Sequence, residues 1–544
     1  MSATAGSLDT SQMQAEYHIL VGTMAARRQQ PRVGAEQLLS AARESGDPQL
    51  ASQAAALATV AGDDALALSA TKELVKLKPD DPRALGALLE LAVRGGQQVT
   101  AVDAGRRLLD ADDADLADTY HGIAVLLGQA PLLRNADVAD AVMRQLVALH
   151  PDLAEAHAAA ALLAVQQYRS DTAIAQAREA LKLVPGDVNT TMLLAAAFVQ
   201  QGKLATADRT VETLLRDTPA ADRADLRLGY AQLLMRYGRL QHARGVLQQQ
   251  LGRTPDDVDT LLLLSQADLN TNRAADAQRL LSRIPASDVK HISEVQYFLG
   301  RAAESRHDYA IAIAHYKRAA GGSMALPAGL QHALILGRLH RVGAARELLI
   351  DLAQRHPDHL SDIIAADSEV LLQAGKGEEA LQVLDRTLER APDDTDLQYQ
   401  RALTYDRTGH AEQAEKALQS LVEEFPLDPR YLNALGFVLT EHGKTEQLPQ
   451  AQQLIERALR LTPEDPAVLD SMGWVLFKQG HSRQALDYLR QAQAFSSDPE
   501  IAAHLVTVLD AAGDHAAARE TLRQALEQNP GNPGLEKVRQ RLAP

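Results

Sequence analysis

One pattern recurs along this chain about every 34 residues and fills almost all of it. It is clearest in residues 466–498, PAVLDSMGWVLFKQGHSRQALDYLRQAQAFSSD. Leu469, Met472, Gly473 and Leu476 are spaced i, i+3, i+4, i+7, the period of one helix face. Ala485, Leu489 and Ala492 repeat that spacing after Gln479, Gly480 and His481. Asp465 suits a helix N-cap, Pro466 the first helical position, and Gly480 the left-handed residue that ends the helix. The stretch is an antiparallel helix pair with small residues where the two helices approach.

Similar units begin near Ala15, Pro48, Pro82, Leu116, Ala154, Val188, Ala224, Val258, Ser293, Leu326, Ser361, Thr395, Pro429, Pro466 and Pro499. The second helix of many units opens its apolar face with alanine: Ala67, Ala207, Ala243, Ala312, Ala345, Ala380, Ala414, Ala485 and Ala518. A proline often follows, as at Pro79, Pro151, Pro185, Pro392 and Pro463. In unit length and in the placing of small residues, Gly and Pro, the pattern resembles the tetratricopeptide repeat. The resemblance implies an all-α solenoid of about fifteen helix-turn-helix repeats coiled into a right-handed superhelix. Residues 1–14 then read as a flexible tail, 15–533 as the solenoid and 534–544 as a capping segment with a solvated outer face.

The repeat overrides the multi-domain expectation that 544 residues would otherwise carry, and it leaves no room for a catalytic domain. Aromatic content of 3 % suits helices packed through small side chains. A net charge of −16 without a basic stripe argues against nucleic acid and anionic membrane surfaces as partners. No apolar run approaches a spanning helix. With no cysteine there is no disulfide, no thiolate metal site and no lipidated cysteine in this sequence. The first ten residues, MSATAGSLDT, lack the charged start and apolar core of a signal peptide, which leaves a cytoplasmic protein or a mature or truncated form.

Connections vary along the chain. The segment 128–135 and a three-residue excess near 445–449 lengthen inter-helix turns, Asn270, Thr271 and Asn272 replace a glycine turn, and the Gly321–Gly322 pair is the expected hinge. His410, His442, His481 and His515 all fall near turns of successive units; they read as polar turn residues, with a metal ladder the alternative. No His-Glu-x-x-His, phosphate loop or Gly-x-Ser-x-Gly is present, so no catalytic, cofactor or metal site is expected.

The first helix of each unit is expected to line a groove, and its non-core positions recur at i, i+4, i+7. In the Pro466 unit these are Asp470, Trp474 and Phe477; in the Pro429 unit, Asn433, Phe437 and Thr440, with Arg430 one turn earlier; in the Thr395 unit, Tyr399, Leu403 and Asp406. Core packing does not need this face, so Tyr399, Phe437, Trp474 and Phe477 are expected to be exposed partner-binding rings, with Arg430, Asn433 and Asp470 as polar contacts. The competing reading is that the rings fill space against the adjacent first helix. A clamp for a terminal carboxylate would need a basic groove, whereas Arg430 and Lys478 here mix with Asp406, Glu441 and Asp470.

Three runs go beyond the generic repeat: RYLNALG at 430–436, LDSMGW at 469–474 and DPEIAAHL at 498–505. Together with YHILVG at 17–22, they resemble the proteobacterial outer-membrane tetratricopeptide lipoproteins, a family that includes the adaptor partner of carboxyl-terminal processing protease. The third run continues here as VTVLD rather than the family's Gly-Glu-Val-Leu-Trp, and Thr23 stands where an acidic residue is common. The resemblance implies a non-enzymatic periplasmic scaffold, held to the outer membrane by a lipid anchor that this sequence lacks. Its implied partners are the protease and its peptidoglycan-hydrolase substrates. The alternative is a cytoplasmic scaffold for another protein complex.

Overall fold

The computed structural model describes residues 10–111 and 115–542, and among these every regular element is helical. Helices follow one another in antiparallel pairs, each pair being one repeat, here named by the first residue of its first helix. The first helices start at Pro48, Pro82, Leu116, Ala154, Val188, Val258, Thr395, Pro429, Pro466 and Pro499, and within one residue of the expected starts at Arg223, Ile292, Ala325 and Leu360. The opening helix, Thr10–Arg27, begins earlier than the periodicity suggested, so residues 10–14 are helical; residues 1–9 lie outside the described residues.

Two compact units divide at Asp217 and Thr218, not at the diglycine expected to act as a hinge. That diglycine is pinned instead. Ser293 Oγ donates to the Ala319 carbonyl and accepts from Met324 N–H, and Gly322 packs so closely on Ser293 that a Cβ there would sit 2.6 Å from the serine Cβ.

Local chemistry explains the boundaries. Asp47, Asp81, Asp428, Asp465 and Asp498 each cap a first helix by accepting a backbone N–H two residues on, with proline in the next position. Gly480 closes the helix Pro466–Lys478 with φ +87°, and Asn272 adopts φ +55° where the sequence has no glycine to do so. The nine alanines expected at the helix crossings are all fully buried. Gly473 allows a close approach: a Cβ there would stand 2.6 Å from Leu489 Cγ and 3.1 Å from the Ala485 carbonyl.

The longer connections take regular form. In the Leu116 repeat the insert folds as a 3-10 turn, Ala130–Asn135, and Asn135 ties it to the Arg94 carbonyl at 2.8 Å. In the Pro429 repeat the extra residues form the turn Thr445–Gln447. The final helix, Pro533–Leu542, buries Leu535 and Val538 against the preceding repeat and turns Arg539 and Arg541 outward.

Candidate protein-interaction site

The expected site residues all lie in the second unit, on the first helices Thr395–Arg407, Pro429–His442 and Pro466–Lys478. Successive first helices pack side by side, so a non-core position on one is covered by its neighbours on both sides. This overturns one expectation. Trp474 is 9 % exposed and Asp470 5 %, so neither is a free groove residue.

Trp474 is enclosed by both neighbouring repeats. Its Nε1 donates to the Glu441 carboxylate on the preceding first helix. Its other face stacks on His504 of the helix Pro499–Ala511, with ring centroids 4.0 Å apart and planes 16° from parallel. Lys478 Nζ stands 5.0 Å from the indole centroid and 3.2 Å from Glu441, so the indole, the ammonium and the carboxylate form one closed set. Asp470 has no role at the surface. Its carboxylate lies 2.9 and 3.1 Å from His504 Nδ1 and holds the imidazole flat against the indole.

The electrostatics follow from this closure. Burial alone would lower the His504 pKa. The Asp470 hydrogen bond, with Glu500 and Glu441 nearby, outweighs it and raises His504 above the usual histidine value. Burial opposes ionisation of Glu441, but the Trp474 N–H, Lys478 and His504 hold its carboxyl below the usual range. Glu500 is raised, first by partial burial and then by Asp470, Asp498 and Asp406, with His504 opposing.

The remaining expected residues divide in two. Phe437 and Phe477 flank the buried set and keep partial exposure, Phe477 5.4 Å from the Trp474 ring and Phe437 6.3 Å from His504. Asn433 is half-buried, and its side-chain oxygen has no partner. One repeat earlier, Tyr399 packs 5.1 Å from the Tyr431 ring, and burial pushes its phenol up to about 12. Arg430 is exposed but already committed, to Asp428 at 2.8 Å and Asp396 at 2.9 Å, with its guanidinium 5.7 Å from the Tyr399 ring. The site therefore has a base of buried Asp470 and Trp474 with half-buried His504, edged by the exposed Glu441, and a partly open rim (Phe437, Phe477, Asn433).

His504 was not among the expected site residues although it organises the base. The signal was present: Asp470 and His504 stand 34 positions apart, one repeat length. Of the turn histidines, His442 lies 2.9 Å from Asp406 Oδ1 and His515 2.6 Å from Asp510 Oδ1, each in its own pair. No cluster of three or more potential metal ligands occurs among the described residues, and no described helix is long and apolar enough to cross a membrane.

The repeat is also matched by models of a known family. Tetratricopeptide repeat models match residues 192–258, 234–302, 371–436 and 476–542. A TPR repeat-containing protein of Pseudomonas aeruginosa is 29 % identical over 161 residues, which is 29 % of this chain and 27 % of that relative's length. Among solved structures, a thermophilic TPR protein of Thermus thermophilus is 24 % identical with a TM-score of 0.31, covering 34 % of this chain and 96 % of its own. The Cut9–Hcn1 hetero-tetramer of the APC/C is 15 % identical with a TM-score of 0.33, covering 99 % of this chain and 97 % of that one. Yeast Tom70 is 13 % identical with a TM-score of 0.29, covering 97 % and 99 %. From its repeat spacing, its paired helices and the matched repeat models, the chain is a tetratricopeptide-repeat protein, an all-helical solenoid of the kind that serves as a protein–protein interaction scaffold.

Proposed function

We propose that this scaffold is an adaptor that binds and activates a periplasmic carboxyl-terminal processing protease and helps deliver peptidoglycan-hydrolase substrates to it. The proposal places the chain at the outer membrane, held by a lipid anchor outside the given sequence. One observation carries it. The three runs that resemble the adaptor lipoproteins, 430–436, 469–474 and 498–505, fall on three consecutive first helices, and the second and third interlock through Asp470, Trp474 and His504. The Trp474 and His504 stack backs the rim, and the rim presents Phe437 and Phe477 to a polypeptide.

The test is direct binding of the purified chain to a purified carboxyl-terminal processing protease, with hydrolase cleavage followed in the presence and absence of the chain. Stimulated cleavage, with an affinity that falls about tenfold or more on Phe437→Ala with Phe477→Ala, supports the adaptor reading, since rim anchors of this type are worth about 1.4 kcal/mol or more. Absence of binding by the unaltered chain refutes it, and binding indifferent to both substitutions removes this face from the reading.

A further inference from the structure

A repeat solenoid makes its contacts between neighbouring repeats. A contact that spans many repeats must therefore be built by particular side chains, and the second unit has one. The turn 237–239, between the helices Arg223–Arg236 and Leu240–Arg253, lies against the loop 462–465 that precedes the helix Pro466–Lys478. Gly238 sits there with φ +62°. A Cβ on it would stand 3.1 Å from both Pro463 Cδ and Thr462 Cα, so the backbone of one coil touches the backbone of the next.

A second, polar contact joins the same two segments. Glu464 Oε2 accepts the Gln241 N–H at 2.9 Å across 223 positions, and its carboxylate also meets the Leu240 backbone N–H. These are first-turn amides of a helix, which have no partner within their own helix. The residue in the capping position is Arg239, whose side chain makes no cap. Glu464 thus supplies from the next coil the acceptor that the local sequence omits, at the end of the helix that favours negative charge. Arg239 and His242 are the charged and titratable groups facing it from that turn.

Beyond this point the seam opens. A cleft of about 1080 Å³ lies between inter-helix turns of earlier repeats, at Ser305, His307 and Tyr309, and the later loops at Ser497, Pro499 and Asn529. Arg338 and Glu304 cross its wall as a pair at 3.0 Å. The seam is therefore closed at one end by the Gly238 and Glu464 contacts and gapped along the rest.

We propose that Glu464 and Gly238 form a latch that clamps one superhelical coil of this unit to the next, and that releasing it widens the seam. The helix pairs themselves are untouched by release, because neither contact belongs to the packing within a repeat.

The full chain has no cysteine, so two introduced thiols can be labelled without background. Spin labels at Gln241→Cys and Ala467→Cys, both exposed positions on opposite sides of the seam, report its width by pulsed dipolar spectroscopy. The expected result is a narrow, short distance distribution. Glu464→Lys, which sets an ammonium against Arg239 and the helix N-terminus, and the milder Glu464→Ala both shift it to longer, broader distances. Glu464→Gln keeps an acceptor oxygen in place and leaves it narrow. Unchanged far-UV circular dichroism in Glu464→Ala separates unlatching from unfolding. A short, narrow distribution that survives both Lys and Ala, or one that is already broad in the parent, overturns the latch.

Discussion

Replacing Trp474 by alanine distinguishes a buried keystone from a binding anchor. The ring is nine-tenths buried between two neighbouring repeats, and a Trp buries about 150–250 Å². At roughly 25 cal/mol per Å² this is an upper bound of about 4–6 kcal/mol. Large-to-small changes at buried aromatics cost about 3–5 kcal/mol. Loss of the indole hydrogen bond leaves Glu441 with Lys478 at 3.2 Å, so no carboxylate is orphaned and that contribution stays near 1 kcal/mol, within the same range. His504 loses its stacking partner but keeps Asp470.

In a solenoid this loss is local. It weakens the interfaces between the Pro429, Pro466 and Pro499 repeats, and the end of the chain opens before the rest. Hydrogen exchange read by mass spectrometry is the suitable assay, because removing the only Trp removes intrinsic indole fluorescence. Protection in the helices Pro466–Lys478 and Pro499–Ala511 should fall about a hundredfold to a few thousandfold, since each 1.4 kcal/mol is tenfold. Protection in the Pro48 and Pro82 repeats should not change. A fall of less than tenfold would refute the reasoning and return Trp474 to the role of an exposed anchor.

Three further outcomes follow from the same geometry. The single Trp should report His504 protonation as a fluorescence titration with a midpoint above the usual histidine value, lost in His504→Gln; a midpoint at or below about 6.5 contradicts the Asp470 pairing. Because the folded-state pKa of His504 is raised, its pairing contributes stability fully below about pH 6.5 and loses it as pH rises through the folded value; urea midpoints of parent and His504→Gln should converge at high pH, and a gap that widens there fails the sign. Gly473→Ala should cost about 1–3 kcal/mol, since a Cβ would meet Leu489 Cγ at 2.6 Å and a helix carbonyl at 3.1 Å; an unaltered calorimetric transition would show that the helices separate freely there.

Much of the fold was legible because the repeat writes it many times. Helix starts could be read from Asp-Pro pairs such as Asp465 and Pro466, since a cap and a preset φ act through bonds two residues away. The crossings could be read from alanine positions, since only small side chains fit. What misled was the face of Trp474. Within one helix, Leu469, Met472, Gly473 and Leu476 already satisfy the partner helix, which makes Asp470 and Trp474 look surplus. Burial in a solenoid is decided by three helices, and the third belongs to the next repeat.

That third helix could be sought at a lag of one repeat. Asp396 and Arg430, Glu304 and Arg338, and Asp470 and His504 are each 34 positions apart, and Glu441 and Trp474 are 33 apart. A carboxylate on one first helix meets a donor at the equivalent place on the next. Charge on these faces is therefore largely consumed along the solenoid, which leaves the partly exposed rings of Phe437 and Phe477 as the apolar groups open to a partner. The Gly238 and Glu464 contacts obey no such lag. They join segments 223 positions apart, a separation fixed by how far unit 2 coils before it meets itself. No local rule encodes that distance, because it accumulates from small rotations at every repeat interface. A sequence read repeat by repeat can thus reveal the one-repeat pairs, while the closure of the coil emerges only from their sum.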